Sequence, residues 1–344
     1  MAYQQVGTPR FYINMIEWLA STGAVPLPSS ATSSNGLIAN SSQLLTLPVN
    51  PTPVYSWTFN DEANSLMTGK GWTDKGFCAV LGHNMKSTVI DTIQSYFYLF
   101  TGTPGSLTKI IFGNGNDSSG NARPMINVSS GIAGTNFTPD LDGFSIAGFN
   151  GTDADYLWNV WVWNDFIPKA GSFIIGTYYD MPHSPDLNLT IEYSTGTKTF
   201  ETRGGSSLSN TMWRPPMWGT SLGPWELNDP DSTTAGQVLA HSSRRSWSLS
   251  FSFLAKENTF PKYNALNTLA EEPNVVDPDQ HTLTGSDDFF SQVWNRVGTA
   301  LPFIFQPDKD VLEFAICKFD QKSISFQQTA PGLYSVKLKI REVW

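Results

Sequence analysis

In two segments of this chain, apolar and polar side chains alternate strictly, which is the pattern of a β-strand with one buried face. In residues 246–253, four serines alternate with four apolar side chains: Trp247, Leu249, Phe251 and Phe253. Residues 334–340 repeat the pattern and follow a turn signal, Ala330-Pro331-Gly332, that separates them from residues 324–328. Successive side chains of a strand point to opposite faces. The pattern therefore predicts half-buried strands and a C-terminal hairpin.

Weaker signals predict strands in the rest of the chain. Short apolar runs between turn clusters lie at residues 44–49, 77–81, 95–100, 108–112, 157–163 and 172–178. Within residues 157–163 the alternation is not clean, which is typical of a strand covered on both faces. Leu187, Leu189 and Ile191 predict one face of a further strand. Residues 193–200 are predicted to return as a hairpin.

Two segments depart from the strand pattern and predict helices. Apolar side chains at helical spacing predict a helix over residues 11–19. Residues 287–299 predict a second helix, with Ser286 as its N-cap and Gly298 at its end. The expected fold class is all-β, with two β-sandwich, jelly-roll-like modules, a short N-terminal helix and one short helix near residues 287–298.

The length of the chain suggests how these elements are divided. A chain of 344 residues can bury two sizeable cores. We expect an N-terminal helix and arm at residues 1–43, followed by two β-sandwiches at residues 44–180 and 181–344. The N-terminus lacks a signal-peptide pattern, and no apolar run approaches the roughly 20 residues that span a bilayer. We therefore expect a soluble protein made in the cytosol.

Charge and cysteine content argue against two classes of function. The formal net charge is −9, and no cluster of Lys or Arg is interleaved with aromatic residues. Nucleic-acid binding needs a basic face that displaces counterions, so sequence-specific binding is not expected. Cys78 and Cys317 each lie in an apolar run. Buried free thiols are favoured over a disulfide, and no spacing indicates zinc.

Candidates for chemistry are few, and each has a simpler structural interpretation. His83 follows an apolar strand, where capping of the next segment is favoured over a role as a base. The pairs Asp140/Asp142 and Asp153/Asp155 could bind calcium or flank a glycosidic bond, but turn-forming aspartates are favoured. No nucleophile, phosphate-loop or metal motif is present. We expect no catalytic residue, cofactor or metal, and no enzyme activity.

Tryptophans in turn-rich segments raise the question of sugar binding. Exposed indole rings stack on sugar faces, and the candidates are Trp57, Trp72 and Trp218. Core packing and subunit contacts use the same residue type and are favoured here.

Two stretches resemble bacteriophage tail proteins. The first is Phe77-Cys78-Ala79-Val80-Leu81-Gly82-His83-Asn84-Met85. It resembles the strand and following turn of discoidin-like, galactose-binding-type sandwich modules in such proteins. The second is the C-terminal quarter, including Leu301-Pro302-Phe303-Ile304-Phe305-Gln306-Pro307 and the closing strand 334–344. It is similar to the closing strands of distal or minor tail proteins of long-tailed phages.

This resemblance implies a virion structural protein that assembles in the host cytoplasm. The family builds a ring, usually hexameric, that joins the tail tube to the tail tip, with residues 181–344 as the ring sandwich and residues 44–180 as the discoidin-like module. The implied partners are copies of the chain, tail tube and hub proteins, with host surface glycan left open. Alternatives are a jelly-roll capsid or decoration protein, or a carbohydrate-binding receptor-recognition module. The candidate interface residues are Phe11, Met15, Trp18 and Trp344.

Overall fold

The structure is a computed structural model, and β-strands dominate the part of the chain that it describes. The described residues are 7–22, 45–46, 52–58, 72–82, 94–101, 107–113, 121–122, 125–127, 132–134, 136–137, 145–150, 155–163, 169–194, 197–211, 244–261 and 286–343. The predicted all-β class is confirmed.

The strands are numbered in chain order. They are β1 Arg10–Asn14, β2 Leu45–Thr46, β3 Thr52–Thr58, β4 Gly76–Leu81, β5 Gln94–Thr101, β6 Leu107–Gly113, β7 Asn121–Ala122, β8 Met125–Asn127, β9 Ile132–Gly134, β10 Asn136–Phe137, β11 Ser145–Phe149, β12 Asp155–Trp163, β13 Lys169–Ala170, β14 Ser172–Asp180, β15 Thr190–Ser194, β16 Thr197–Glu201, β17 Ser207–Thr211, β18 Arg244–Ala255, β19 Phe303–Gln306, β20 Ala315–Phe319, β21 Phe326–Ala330 and β22 Leu333–Glu342. The helical elements are α1 Met15–Thr22, α2 Trp72–Lys75, a 3-10 turn Lys256–Asn258, a π-helix Phe290–Trp294 and α3 Asn295–Val297.

Most of the described strands join one large antiparallel sheet. Its twelve strands follow the order β15, β18, β22, β20, β19, β1, β14, β4, β11, β8 and β9, with β21 paired to β22 beside this row. A six-stranded sheet has the order β10, β6, β5, β12 and β3, with β7 beside β6. The remaining described strands form two pairs, β2 with β13 and β16 with β17. The six short apolar runs predicted as strands are all present, the first reduced to Leu45–Thr46.

The N-terminal strand β1 joins the two parts of the chain that the sequence pattern divides at residue 180. Phe11 lies opposite Tyr179 of β14 on one edge and opposite Phe305 of β19 on the other. The two expected sandwiches therefore share a continuous sheet through β1. The three-part division into domains stays a prediction.

The helix predicted over residues 11–19 is wrong in its first half. Residues 10–14 form β1, because the strand has hydrogen-bonding partners on both edges. Phe11 and Ile13 enter one hydrophobic core, and Tyr12 enters the core on the opposite face. The helix α1 begins only after Asn14, whose side-chain oxygen accepts hydrogen bonds from the N–H groups of Ile16 and Glu17 at 3.2 and 3.4 Å. Tertiary pairing outweighed the helical spacing of the side chains.

The alternating segments form β18 and β22, as predicted, and their apolar faces meet in register. Trp247 lies opposite Ile340, Leu249 opposite Leu338 and Phe251 opposite Val336. All six are buried in the larger of the two hydrophobic cores, the one that contains Phe11 and Ile13. Val293 of the π-helix and Val297 of α3 belong to the same core. The C-terminal hairpin of β21 and β22 is confirmed, with Gly332 at φ 72° in its turn.

Phe253 does not continue the buried face of β18. The register of β18 against β22 shifts between Phe251 and Leu254, so Leu254 turns into the core in its place. Phe253 is 69% exposed, with φ 60°. A β-bulge adds one residue to a strand and reverses the faces beyond it, which the period-two rule does not anticipate.

The predicted hairpin of residues 193–200 is also wrong. Tyr193 lies in β15, which pairs with β18, whereas Phe200 lies in β16, which pairs with β17. Leu187, expected in the strand before it, precedes β15 and is exposed, while Leu189 and Ile191 pack against the larger core. The hairpin of β16 and β17 forms instead around a later turn signal, Gly204-Gly205, with Gly205 at φ 81°.

The second predicted helix is present but shorter, and much of it is a π-helix. Phe289 and Val293 are buried in the larger core, and Gly298 follows the last helical residue with φ 52°. The N-terminal cap is Asp288 and not Ser286: the Asp288 carboxylate accepts a hydrogen bond of 2.8 Å from the N–H of Ser291. A carboxylate at this end satisfies free N–H groups.

Residues 157–163 lie in β12 of the six-stranded sheet. Strand β12 lies between β3 and β5, and its register against β3 shifts between Val160 and Trp161. The residue without a partner at this shift is Val54 of β3.

Candidate assembly surface

Three of the four residues expected at a subunit interface are buried within this chain. Phe11 and Met15 have no exposed surface, and Trp18 is 6% exposed. Met15 and Trp18 surround a buried cation: Arg296 Nη1 lies 3.3 Å from the Met15 sulfur, and its guanidinium lies 5.1 Å from the Trp18 ring. The expectation that these three side chains contact another subunit is therefore corrected. They attach the N-terminal helix to the chain's own core.

The buried guanidinium of Arg296 links α3, in which it lies, to α1 and β14. Its Nη1 donates a hydrogen bond of 2.8 Å to the Thr177 hydroxyl. Burial lowers the pKa of Arg296 to about 10, and the charges of Asp287 and Asp288 oppose that shift. A buried charge without close partners is costly, so this group is held by cation–π and hydrogen-bond contacts.

For the other predicted site residues, the described part of the structure does not include the side chain. Trp344, Trp218, His83, Asp140, Asp142 and Asp153 lie outside the described residues. Only the backbone is described for Trp57 in β3, Trp72 at the start of α2 and Asp155 at the start of β12. Sugar contact by the three tryptophans stays a prediction.

The prediction of free, buried cysteines is confirmed. Cys78 and Cys317 are both fully buried and unpaired. Burial raises the pKa of both thiols well above its ordinary value. Neither thiol is therefore poised to react as a thiolate.

Two features are absent from the described residues, a metal-binding cluster and a membrane-spanning helix. These residues contain no group of three or more His, Cys, Asp or Glu side chains able to hold a metal ion. None of the described helices is long and apolar enough to cross a bilayer.

Two exposed apolar side chains lie on a hairpin formed by residues 197–211, here named the hairpin arm. Its strands β16 and β17 form a two-stranded sheet of their own. Phe200 and Leu208 lie directly opposite each other and are 62% and 60% exposed. Large apolar side chains placed side by side in solvent are typical of a binding surface.

The hairpin arm is ordered by its own hydrogen bonds. At the tip, the Thr202 N–H donates to the Ser206 carbonyl at 2.8 Å, and the Ser206 N–H donates to the Thr202 hydroxyl at 3.0 Å. The hydroxyls of Thr199 and Ser209 lie 3.0 Å apart across the strands. These contacts hold the tip closed and the two strands in register.

A second exposed apolar pair lies in residues 307–313, here named the acidic loop. Val311 and Leu312 are 49% and 56% exposed. The loop carries Asp308, Asp310 and Glu313 against one lysine, a formal charge of −2. It borders an open groove of about 390 Å³ whose other wall includes Ile191, Tyr193 and Trp247.

The acidic loop is fastened to the large sheet at several points. The Gln306 side-chain amide donates hydrogen bonds to the carbonyls of Lys309 and Val311 at 3.2 and 2.9 Å. Arg245 forms an ion pair with Glu313 and a second with Glu342 at 3.1 Å. The Arg245 guanidinium also lies 5.1 Å from the Trp247 ring. The loop therefore presents its apolar pair from a fixed position.

An edge strand and a bulge extend the exposed apolar surface. In the described part of the chain, β15 pairs with β18 alone, and Tyr193 within it is exposed. At the bulge, Phe253 is exposed. The hydroxyl of the preceding Ser252 donates a hydrogen bond of 2.8 Å to the carboxylate of Asp186, and Leu187, which follows Asp186, is also exposed. An edge strand with apolar neighbours invites pairing with another chain. Positive φ at a bulky residue is strained and is retained where its surroundings require it.

The alternation that predicts β18 and β22 does not distinguish these exposed apolar residues from buried ones. One signal was available: Phe200 and Leu208 stand alone among Thr, Ser and charged residues on either side of Gly204-Gly205. A lone apolar pair in a polar hairpin has no core to enter.

Glu17 adds a pH-sensitive group to the interior. It is buried beside a small cavity lined by Tyr12, Asn14 and Leu81. Burial raises the pKa of Glu17 to about 7, while the charge of Lys318 and the 3.3 Å hydrogen bond from Asn14 oppose the shift. The folded chain therefore holds a proton on this carboxyl at acidic pH more readily than the unfolded chain does.

We expect the stability of the chain to fall by about 2 to 3 kcal/mol between pH 5 and pH 8 through this group. The folded pKa is raised, so its stabilising contribution is complete below the unfolded pKa of 4.5 and is lost as pH rises through about 7. Urea denaturation of wild type and Glu17→Gln at several pH values measures it. The variant should lack this slope, and the exposed-site control Glu257→Gln should retain it. Equal slopes in wild type and Glu17→Gln would contradict the assignment.

Comparisons of the chain with protein-family models, with curated proteins and with solved structures find no match.

Proposed function

We propose that this chain is a virion structural subunit that assembles with its own copies into a ring. The observation that carries the proposal is the combination of a well-packed sheet with fixed apolar side chains left in solvent on the hairpin arm and the acidic loop. Such side chains gain free energy only when another surface covers them. A subunit of a permanent assembly has that arrangement.

The tail position within a virion is supported by the sequence resemblance. The segment 77–85 resembles discoidin-like sandwich modules of phage tail proteins. The C-terminal quarter resembles distal or minor tail proteins, whose rings join the tail tube to the tail tip. A low charged fraction, 15% of residues, suits large and permanent interfaces, since charged side chains are depleted at interface cores. The proposed partners are therefore copies of the chain and the neighbouring tube and hub proteins.

The mechanism of such a subunit is geometric. Central strands β1, β19 and β20 carry apolar side chains into both cores, which gives the sheet a rigid middle. Ion pairs and hydrogen bonds fix the acidic loop to that middle, so its position relative to the sheet is preserved in each copy. Identical fixed contacts related by a rotation that closes produce a ring.

Purified wild-type chain is expected to form one closed oligomer of defined copy number. Mass photometry over a dilution series gives the copy number, and negative-stain electron microscopy shows whether the particle is a ring. Because apolar contacts carry the assembly, it should persist in high salt. A chain that remains monomeric at every concentration, alone and with tube and hub proteins, would contradict the proposal. Closed shells or binding to an existing capsid would instead support a capsid or decoration role.

A further inference from the structure

We propose that the hairpin arm of one copy docks on the acidic loop of a second copy. This inference rests on the proposed self-assembly and names the two surfaces that meet. Each surface presents an apolar pair, Phe200 with Leu208 on the arm and Val311 with Leu312 on the loop. Joining the two pairs removes four large side chains from water.

The charges of the two surfaces favour this pairing. The arm carries Lys198 and Arg203 against Glu201, a formal charge of +1 in a chain whose net charge is −9. The loop carries three carboxylates against one lysine, a formal charge of −2. Arm against loop brings opposite charges together, whereas arm against arm or loop against loop brings like charges together. The contact therefore joins unlike surfaces, and repeated head-to-tail it forms a ring when the rotation between copies closes.

Both surfaces are ordered before they meet. The arm is closed by the hydrogen bonds at Thr202 and Ser206, and the loop is held by Gln306 and Arg245. A pre-ordered surface loses little conformational entropy on binding. The Cβ of Phe200 and that of Leu208 also share one face of the arm, because directly opposite residues of an antiparallel pair point the same way.

The size of the contact predicts how assembly proceeds. The contact of a 15-residue arm with a seven-residue loop buries less surface than the interfaces of about 1,200–2,000 Å² that hold stable complexes. One such contact is weak, but each subunit of a closed ring makes two of them and gains from effective concentration. Closed rings should therefore appear without a large population of dimers.

Cysteine cross-linking tests the contact directly. Both native cysteines are fully buried, so introduced cysteines are the reactive ones. Mixing the single variants Leu208→Cys and Leu312→Cys under mild oxidation should give an intermolecular disulfide. The yield should exceed by about tenfold that of the control mixture of Leu208→Cys with Ser323→Cys, an exposed position outside the loop. The doubly substituted chain should give a ladder of linked multimers.

A charge exchange tests the same contact without new covalent chemistry. Arg203→Asp and Asp310→Arg should each raise the concentration at half-assembly by about tenfold. Adding Asp310→Arg to Arg203→Asp should recover part of the lost assembly, because the loop is then neutral and no longer repels an arm of charge −1. Lys337→Glu, at an exposed position of β22, is the matched control and should leave assembly unchanged.

The outcomes separate this inference from the proposed function. A wild-type chain that never assembles overturns both. Assembly that persists without cross-linking between positions 208 and 312, and without an effect of charge exchange, overturns the arm contact alone. A disulfide found only within single chains shows the arm docked on its own loop and also overturns it.

Discussion

Replacing Gly176 with alanine is expected to lower the free energy of unfolding by about 3 kcal/mol or more. Gly176 lies in β14 opposite Asn14, where strand β1 passes into α1. A Cβ at this position would lie 1.9 Å from the Ile13 carbonyl oxygen and 3.0 Å from the Met15 nitrogen. Both atoms belong to the backbone, so neither can rotate away. The strand that joins the two halves of the large sheet would have to separate from β14.

Urea denaturation of Gly176→Ala and of Gly204→Ala measures this effect against a matched change. At Gly204 the nearest atom to an added Cβ is the Thr202 hydroxyl at 4.0 Å. That control should alter stability by no more than about 0.5 kcal/mol. A Gly176→Ala chain with the wild-type unfolding midpoint would show that β1 and β14 do not approach as closely as described.

Phe11→Ala is expected to destabilise the chain by about 3–5 kcal/mol. The ring has no exposed surface and lies 5.3–5.6 Å, centroid to centroid, from the rings of Phe289, Phe303 and Phe305. Removing it leaves a cavity among side chains from two separate parts of the chain, β19 and the residue before the π-helix. The substitution lowers the stability of the folded chain and does not alter an assembly surface. The chains that still fold should therefore assemble with the wild-type copy number.

Phe200→Ala is the matched comparison for Phe11→Ala. Phe200 is exposed on the hairpin arm, so its removal should leave the unfolding free energy within about 0.5 kcal/mol of wild type while weakening assembly. Denaturation and mass photometry on both variants separate the two roles. If Phe11→Ala left stability intact and abolished assembly, the original expectation of an interface at Phe11 would be restored.

Local patterns predicted a large part of the fold. Strands β18 and β22 follow directly from alternation, and Trp247, Leu249 and Leu338 are buried on the predicted face. The C-terminal hairpin follows from the turn at Pro331-Gly332. These features depend on neighbours within a few residues, which is the range that a sequence pattern reports.

The candidate surface was predicted poorly because exposure depends on contacts between distant segments. Aromatic content at Phe11 and Trp18 indicated an interface, but both side chains are covered by residues far along the chain, such as Phe305 and Arg296. Phe200 and Leu208 were not predicted as interface residues, although both are exposed large apolar side chains. Composition does not distinguish a buried aromatic from a binding one.

The all-β class, the positions of most strands, the two free cysteines and the acidic, charge-poor character of the chain all follow from residue type or from period-two spacing. Three features follow from contacts between distant segments: residues 10–14 are a strand, Phe253 turns outward, and β16 and β17 pair only with each other in the described part of the chain. In each case the outcome depended on which distant strand supplied hydrogen bonds or covered a side chain. Such pairing outweighs local preference, and no local pattern encodes it.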